Sequence, residues 1–420
     1  MKYGSKIKFL RKNLNLSQKQ LANGICSVSY LSKIEKDTTI PSTEIIELLC
    51  KRLNIPNDQL KSRDSLLMNL YLDLDELGGL INTGDAVKSI NKYNLIVNKY
   101  LNDTDPEVLL IINLFGLRTA ILQGYKEKAK EYYFIVLNLK EYLSTPIRTY
   151  YFKFCGLYNY LYGCLSEALK NYKKAENLIC KKNTLEDVYY QLSLIYHKIN
   201  QPFMSIDYIK KAEELYVKKM DYKSCIDCNL LLAINYRKLG EYGMSRKIYE
   251  SILETNLEDD NKKLFASIYH NIGLTFSSET QSSKAIDYFL KSVDIKLSEG
   301  YEVINTIYLL TKEYWLNSNK NNALNWLTRG IDIYNKKPHD ESYYIKLCFL
   351  EYIINNKDET DQYYNYLTKT VIPYFDSRND LVSLIEFLHY LAKYFKKKKM
   401  YKSAYQTLER IISLQEFKIH

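Results

Sequence analysis

Residue types that carry acid–base, nucleophilic or metal chemistry occur in this chain without the spacing that such chemistry needs. The five histidines (His197, His270, His339, His389 and His420) stand far apart and form no HExxH or other ligand pattern. Cys225-Ile-Asp-Cys228 is a lone CxxC inside helical sequence, and without a second pair it predicts packing, not zinc or redox work. The other cysteines, at 26, 50, 155, 164, 180 and 348, give no disulfide framework. No two glycines lie two apart and no GxxxxGK[ST] occurs, so nothing is built to cradle a nucleotide phosphate. The chain is expected to be no enzyme and to hold no metal or cofactor.

The chemistry that remains is recognition through hydrogen bonds and charge. Ser17 and Gln18 open a short helical stretch, where hydroxyl, amide and free backbone N–H groups suit a phosphate oxygen. Ser27, Val28, Ser29, Tyr30, Lys33 and Lys36 lie on the next stretch. Ser and Lys hydrogen-bond base edges there, and Val28 and Tyr30 offer apolar contact to a thymine methyl. Charge agrees: residues 1–62 carry 11 Lys/Arg against 5 Asp/Glu, more than half of the whole chain's +10. A basic head on a nearly neutral body points to a polyanion for the head alone.

The elements that position these groups are helices. There are 14 Gly and 7 Pro in 420 residues, well below the usual shares of roughly 7% and 5%, which disfavours sheets and barrels. Ser17-Gln18-Lys19-Gln20 is a capping box opening a helix that breaks near Gly24. Ser27 caps the next helix, which turns Leu31 and Ile34 inward. Pro41-Ser42 opens a fourth helix with Ile45, Leu48, Leu49 and Leu53 facing the core. Two short helices across a tight turn make a helix-turn-helix, whose second helix lies in the DNA major groove.

The run SQKQLANGICSVSYLSKIEKDTTIPS resembles the lambda-repressor-type (Xre) helix-turn-helix. The matching residues are Ser17, Gln18, Leu21, Ala22, Leu31, Ser32, Ile34, Glu35, Pro41 and Ser42. The sequence departs from that pattern at Cys26 and Asp37, where glycine is usual, and its turn is one residue shorter. The short Ile-Cys turn is similar to that of PlcR/NprR-type regulators.

From about Leu66 the chain repeats. Small residues that can open the second helix of a tetratricopeptide (TPR) hairpin fall at Ala86, Ala129, Ala168, Ser205, Ser245, Ala285, Ala323, Asp361 and Ala404, a period of about 40. Asp361 fits worst. Gly156, Ala233, Gly273 and Ala392 fall twelve before their anchors. Tyr133, Tyr172, Tyr249 and Phe289 fall four after. The 41 Tyr largely serve such packing positions. Such an array leaves a concave face suited to an extended peptide, whose backbone amides need partners. By the TPR register the peptide-binding candidates are Arg118, Tyr190, Gln191, His270, Asn271 and Asn305, with Asn235 beside the aromatic position. Asn271 matches a common TPR peptide-binding position.

Together, head and array resemble the RRNPP regulators. The fold expected is all-α: a lambda-repressor-like helix-turn-helix domain over 1–62, a linker helix over 63–80, and a right-handed TPR superhelix of about nine hairpins over 66–420, which binds peptide and dimerises. The resemblance implies a cytoplasmic homodimer that binds double-stranded DNA at a two-fold operator. A short re-imported signalling peptide switches it. An alternative is that the array binds and inhibits a response-regulator protein of a sporulation-type phosphorelay, or recruits another protein without sensing a peptide. Charges break every apolar run, so neither a signal peptide nor a membrane span is expected.

Overall fold

Regular structure among the described residues is helical throughout, as the shortage of turn-formers requires. The computed structural model describes residues 3–56, 63–82, 85–100, 103, 105–178, 185–254 and 261–416; Cys180 and His420 lie outside them. No helix among these residues is long and apolar enough to cross a membrane. The chain divides into two compact units, Met1–Gln191 and Leu192–His420.

The first unit begins with four helices: α1 (Gly4–Asn13), α2 (Gln18–Ala22), α3 (Val28–Glu35) and α4 (Thr43–Leu53). They close around Ile7, Leu21, Leu31, Ile34 and Leu49, all with essentially no exposed surface. Ser17, Ser27 and Ser42 each cap a helix N-terminus with the side-chain oxygen, as their spacing predicts. Gly4 is needed by packing: a Cβ there would lie 2.0 Å from the Ile34 carbonyl oxygen. Three hairpins complete the unit, with paired helices at Arg63–Asn82 and Ala86–Tyr100, Pro106–Leu122 and Lys126–Asn138, and Arg148–Tyr162 and Leu165–Leu178. The stretch expected as a linker helix is the first arm of the first hairpin. Its Leu67, Leu70, Leu74 and Leu77 are buried in the same core as Ile111, Leu114 and Phe115. The small residue fully buried in the second arm is Ser89; Ala86 is only half-buried.

The helix Leu185–Lys198 carries the boundary between units and precedes Pro202–Lys218. The second unit continues with Tyr222–Lys238 and Tyr242–Leu253, Lys262–Ser278 and Ser282–Ser298, and Ile304–Leu316 and Lys320–Lys336. Next comes Glu341–Ile354 with Asp361–Ser377, and last Leu381–Lys397 with Tyr401–Glu416. Among the described residues, nine hairpins thus follow the head. Their local rule is visible in Gly156 and Gly273: an added Cβ would lie within 2.8 Å of the Tyr172 ring and 2.7 Å of the Phe289 ring, so the helices cross too closely for any larger residue. Ala129, Ala168, Ser205, Ser245, Ala285 and Ala323 are all fully buried at the matching points. The eighth hairpin departs from the rule. Asp361 is exposed, the buried residue beside it is the aromatic Tyr363, and the helix runs on through a π-helical turn at Leu367–Val371. Left-handed turn residues are often not glycine: Gly240 (φ 81°) has counterparts in Asn200 (φ 60°), Thr280 (φ 61°) and Ser318 (φ 58°).

Candidate functional site

The head presents one polar face. Ser17 Oγ accepts from the Gln20 backbone N–H (3.2 Å), and Gln20 Oε1 accepts from the Ser17 N–H (2.7 Å), completing the capping box. Ser27 Oγ accepts from the Tyr30 N–H (3.1 Å) and lies 3.0 Å from Ser29 Oγ. Ser27, Val28, Ser29 and Lys33 are exposed along α3, and Lys36 is exposed at its C-cap; Tyr30 is half-buried against the core. This leaves the hydroxyls and ammonium groups of one helix available to base edges and phosphates.

Gln18 has a different position from the one expected of a free phosphate ligand. Its Nε2 donates to Glu35 Oε2 (2.8 Å), and Glu35 also accepts from Arg11 Nε (2.6 Å) and Nη2 (3.0 Å). The Arg11 guanidinium pKa is raised, first by that hydrogen bond to Glu35. Its Nη1 donates to the Leu16 carbonyl (2.7 Å). Glu35 therefore locks α1, the α1–α2 turn and the start of α2 onto α3, and the Gln18 amide serves that lock. Arg52 extends the lock from α4 by donating to the Leu21 carbonyl (3.1 Å) and the Asn23 carbonyl.

The head is also fastened to the hairpin region of its own unit. Lys8 and Lys12 each reach Glu141 at 2.9 Å, and the Phe9 ring meets Tyr142 edge-on at 5.5 Å. Hydrogen bonds from Lys12 and then Lys8 hold the Glu141 carboxyl down at about 2. In the sequence, nothing in the Glu141-Tyr142 pair marks a docking contact.

The peptide-binding candidates divide into available and committed groups. Within the first unit, the half-buried Arg118 makes no hydrogen bond to a described residue. Burial lowers its pKa, opposed by the fields of Tyr172 and Asp187. Gln191 Oε1 is buried with no hydrogen-bond partner, and Tyr190 is half-buried beside it in sequence. In the second unit, Asn271 is half-buried and its side-chain amide has no described partner; only its backbone carbonyl is used, by Thr275 Oγ1 (2.9 Å).

Asn235, the candidate beside the aromatic position, is engaged within the stack. It is fully buried; its Nδ2 donates to Ser205 Oγ and the Leu231 carbonyl, both at 2.9 Å, and its Oδ1 lies 2.9 Å from His197 Nδ1. Both donors of its amide are thus used. His270 and Asn305 are brought together through Thr306. His270 Nδ1 lies 2.9 Å from Thr306 Oγ1, while Asn305 Oδ1 accepts from the Thr306 N–H (2.7 Å) and from Lys296 Nζ (3.2 Å). Burial, then the Lys296 and Arg237 charges, push the His270 pKa to about 3, so its ring stays neutral at physiological pH. Two polar groups escaped the sequence reading: Arg237, whose Nε is buried without a partner, and Tyr249, whose hydroxyl is likewise unsatisfied. The only hint in sequence is that Arg237 directly follows an aromatic TPR position.

No group of three or more potential metal ligands occurs among the described residues. Burial pushes the Cys228 thiol up to about 12 and raises Cys225 too, the opposite of what a thiolate ligand or redox pair needs.

Family models match the chain in the same two parts. A helix-turn-helix family model matches residues 7–60, and a tetratricopeptide-repeat model matches 186–216 and 266–298. The transcriptional activator NprA of Geobacillus stearothermophilus is 27% identical over 94% of this chain and 100% of its own length. Response regulator aspartate phosphatase A of Bacillus subtilis is 26% identical over 59% of this chain and 70% of its own. In fold, the chain is similar to the crystal structure of NprR in complex with its cognate peptide NprX, with a TM-score of 0.62 at 20% identity, over 83% of this chain and 98% of that one.

Proposed function

The chain belongs to the RRNPP family of peptide-responsive quorum-sensing regulators, and from that premise we propose that it is a cytoplasmic transcriptional regulator gated by a short re-imported peptide. The observation that carries the reading is a capped recognition helix with exposed Ser27, Val28, Ser29, Lys33 and Lys36, in the same chain as a hairpin array in which the side chains of Asn271 and Arg118 make no hydrogen bond to a described residue. Ser17 and the α2 N-terminus set the phosphate register, and the α3 face reads bases. A two-fold operator requires two heads at fixed spacing, so the working form is a homodimer. Peptide switches DNA affinity only by binding one arrangement of those heads better than another. The helix Arg63–Asn82 is the mechanical link, because it follows the head and is packed into the first hairpins.

A second reading draws on the similarity to the aspartate phosphatase: the array binds a response regulator. The test is fluorescence anisotropy of the full chain on DNA from its own promoter region, with and without peptides encoded by adjacent small open reading frames. Sequence-specific DNA binding altered by one such peptide supports gating. Binding to a response regulator with no DNA binding supports the second reading.

A further inference from the structure

A cavity of about 250 Å³ lies where the end of the helix Ser282–Ser298 and its following loop meet the end of the helix Lys320–Lys336. Its walls are chemically divided. Leu297, Val303 and Ile333 supply apolar surface, while Lys296, Glu302 and His339 supply polar groups. Lys296 is only 8% exposed; its ammonium donates to Thr306 Oγ1 (2.7 Å) and Asn305 Oδ1 (3.2 Å), which leaves a third N–H. No carboxylate lies within ion-pair distance of it among the described residues. His339 Nδ1 is 2.6 Å from the Lys337 carbonyl oxygen. A carbonyl only accepts, so that nitrogen carries the proton, and Nε2 of the neutral ring is an acceptor. This Nε2 is buried with no hydrogen-bond partner.

A buried cationic donor without its anion and a buried acceptor without its donor, joined by apolar wall, are complementary to one kind of guest. We propose that this cavity binds an aliphatic amino-acid unit with a free carboxylate: the carboxylate on Lys296, the adjacent N–H group toward His339 Nε2 and the Glu302 carboxylate, and the side chain against Leu297, Val303 and Ile333. The volume suits it, being about eight times the ~30 Å³ that a water occupies in the liquid. The guest is either a free amino acid or the C-terminal residue of a peptide. Occupancy reaches further through one chain of hydrogen bonds, since Thr306, which Lys296 holds, also lies against His270, the neighbour of Asn271.

Burial lowers the Lys296 pKa to about 8, with only the Glu302 charge opposing the fall. The charged and titratable groups around it are Tyr301, Glu302, Lys337, His339 and His270. Carboxylate affinity therefore falls as pH rises from 7 to 9 and the empty site's ammonium loses its proton.

The test is isothermal titration calorimetry of the full chain with three probes: L-leucine, N-acetyl-glycyl-L-leucine, and the amide of that dipeptide. Binding of L-leucine alone assigns the site to free amino acids, and binding of the dipeptide acid assigns it to a chain terminus. In either case Lys296→Met is expected to weaken binding at least tenfold, Lys296→Arg to restore part of it, and His339→Ala, on an exposed turn, to weaken it several-fold with the helical circular dichroism unchanged. Loss of the dipeptide's affinity between pH 7 and 9, while the dipeptide itself stays a monoanion, supports the same assignment. No binding by any probe, an amide that binds as well as the acid, or Lys296→Met with undiminished affinity would overturn it.

Discussion

The head and the second repeat unit use polar residues in opposite ways. In the head, the groups that would meet DNA are outside: Ser27, Ser29, Lys33 and Lys36 are exposed, while a separate buried set, Arg11, Gln18 and Glu35, holds the helices in place. In the second unit the two roles share one layer. Asn235, His197 and Ser205 form structural hydrogen bonds between hairpins, while Asn271, on the first helix of the next hairpin, leaves its amide unused. A polyanion announces itself by charge and can be met at the surface. A peptide offers mainly backbone amides, which reward buried, pre-oriented partners. Position in the repeat register therefore cannot tell a ligand-binding Asn from a structural one.

That contrast can be broken experimentally, and the largest effect is expected in the lock of the head. Glu35→Ala strands the largely buried Arg11 and removes the Gln18 tether. It should destabilise the head by about 3 kcal/mol. Hydrogen exchange should show lost protection in α1–α4 and retained protection in the second unit, and DNA binding should disappear. If the head keeps its protection, the lock is not what holds it.

Asn235 and Asn271 give the next-largest contrast. Asn235→Ala removes the partner of His197 Nδ1 and one donor to Ser205 Oγ, which keeps its bond to the Ser193 carbonyl, and is expected to cost about 1–3 kcal/mol in thermal or denaturant unfolding. Asn271→Ala should leave stability nearly unchanged and weaken peptide binding. Equal destabilisation by both variants would dissolve the distinction drawn between them.

Smaller effects belong to the exposed face. Lys33→Ala and Lys36→Ala should leave the melting temperature in place, and each that contacts a phosphate should flatten the salt dependence of DNA binding by about 1 in log–log slope. A slope unchanged in both would remove them from the interface. Smallest is the fastening through Glu141. Its carboxyl is depressed to about 2, so its contribution is complete above the ordinary carboxylate range near 4.5 and is lost as pH falls from there through about 2. Glu141→Gln should mimic the acid form at neutral pH and increase exchange in α1. Because Glu141 is partly exposed, high salt should reduce the difference between variant and parent.

What the sequence made legible follows the range of the interactions. The three serine caps and the inward Leu31, Ile34, Leu49 and Leu53 are local signals, written within a few residues, and lie where their spacing predicts; Leu48, expected inward beside them, is exposed. The repeat rule was also readable, because a small residue facing a ring leaves two marks at fixed distance, as Gly273 and Phe289 do. At the ends of the array that rule weakens. Ser89 takes the place expected for Ala86 because the helix starts at Ala86, three residues later than an anchor there requires, and near Asp361 the buried residue is Tyr363. The Glu141–Lys8–Lys12 contact and the Lys296–Thr306–His270 chain were hidden for another reason. Each joins residues that look solvated one at a time and acquire meaning only when folding brings distant segments together.

The central claim is that peptide in the array controls DNA binding by the head. The most direct test is native mass spectrometry of the full chain with promoter-region DNA, titrated with the peptide encoded beside its gene, for the parent and for Asn271→Ala. The account predicts a DNA-bound dimer whose population changes with stoichiometric peptide in the parent, and a variant that binds the same DNA but no longer responds. A DNA-bound population that ignores saturating peptide in the parent would contradict it.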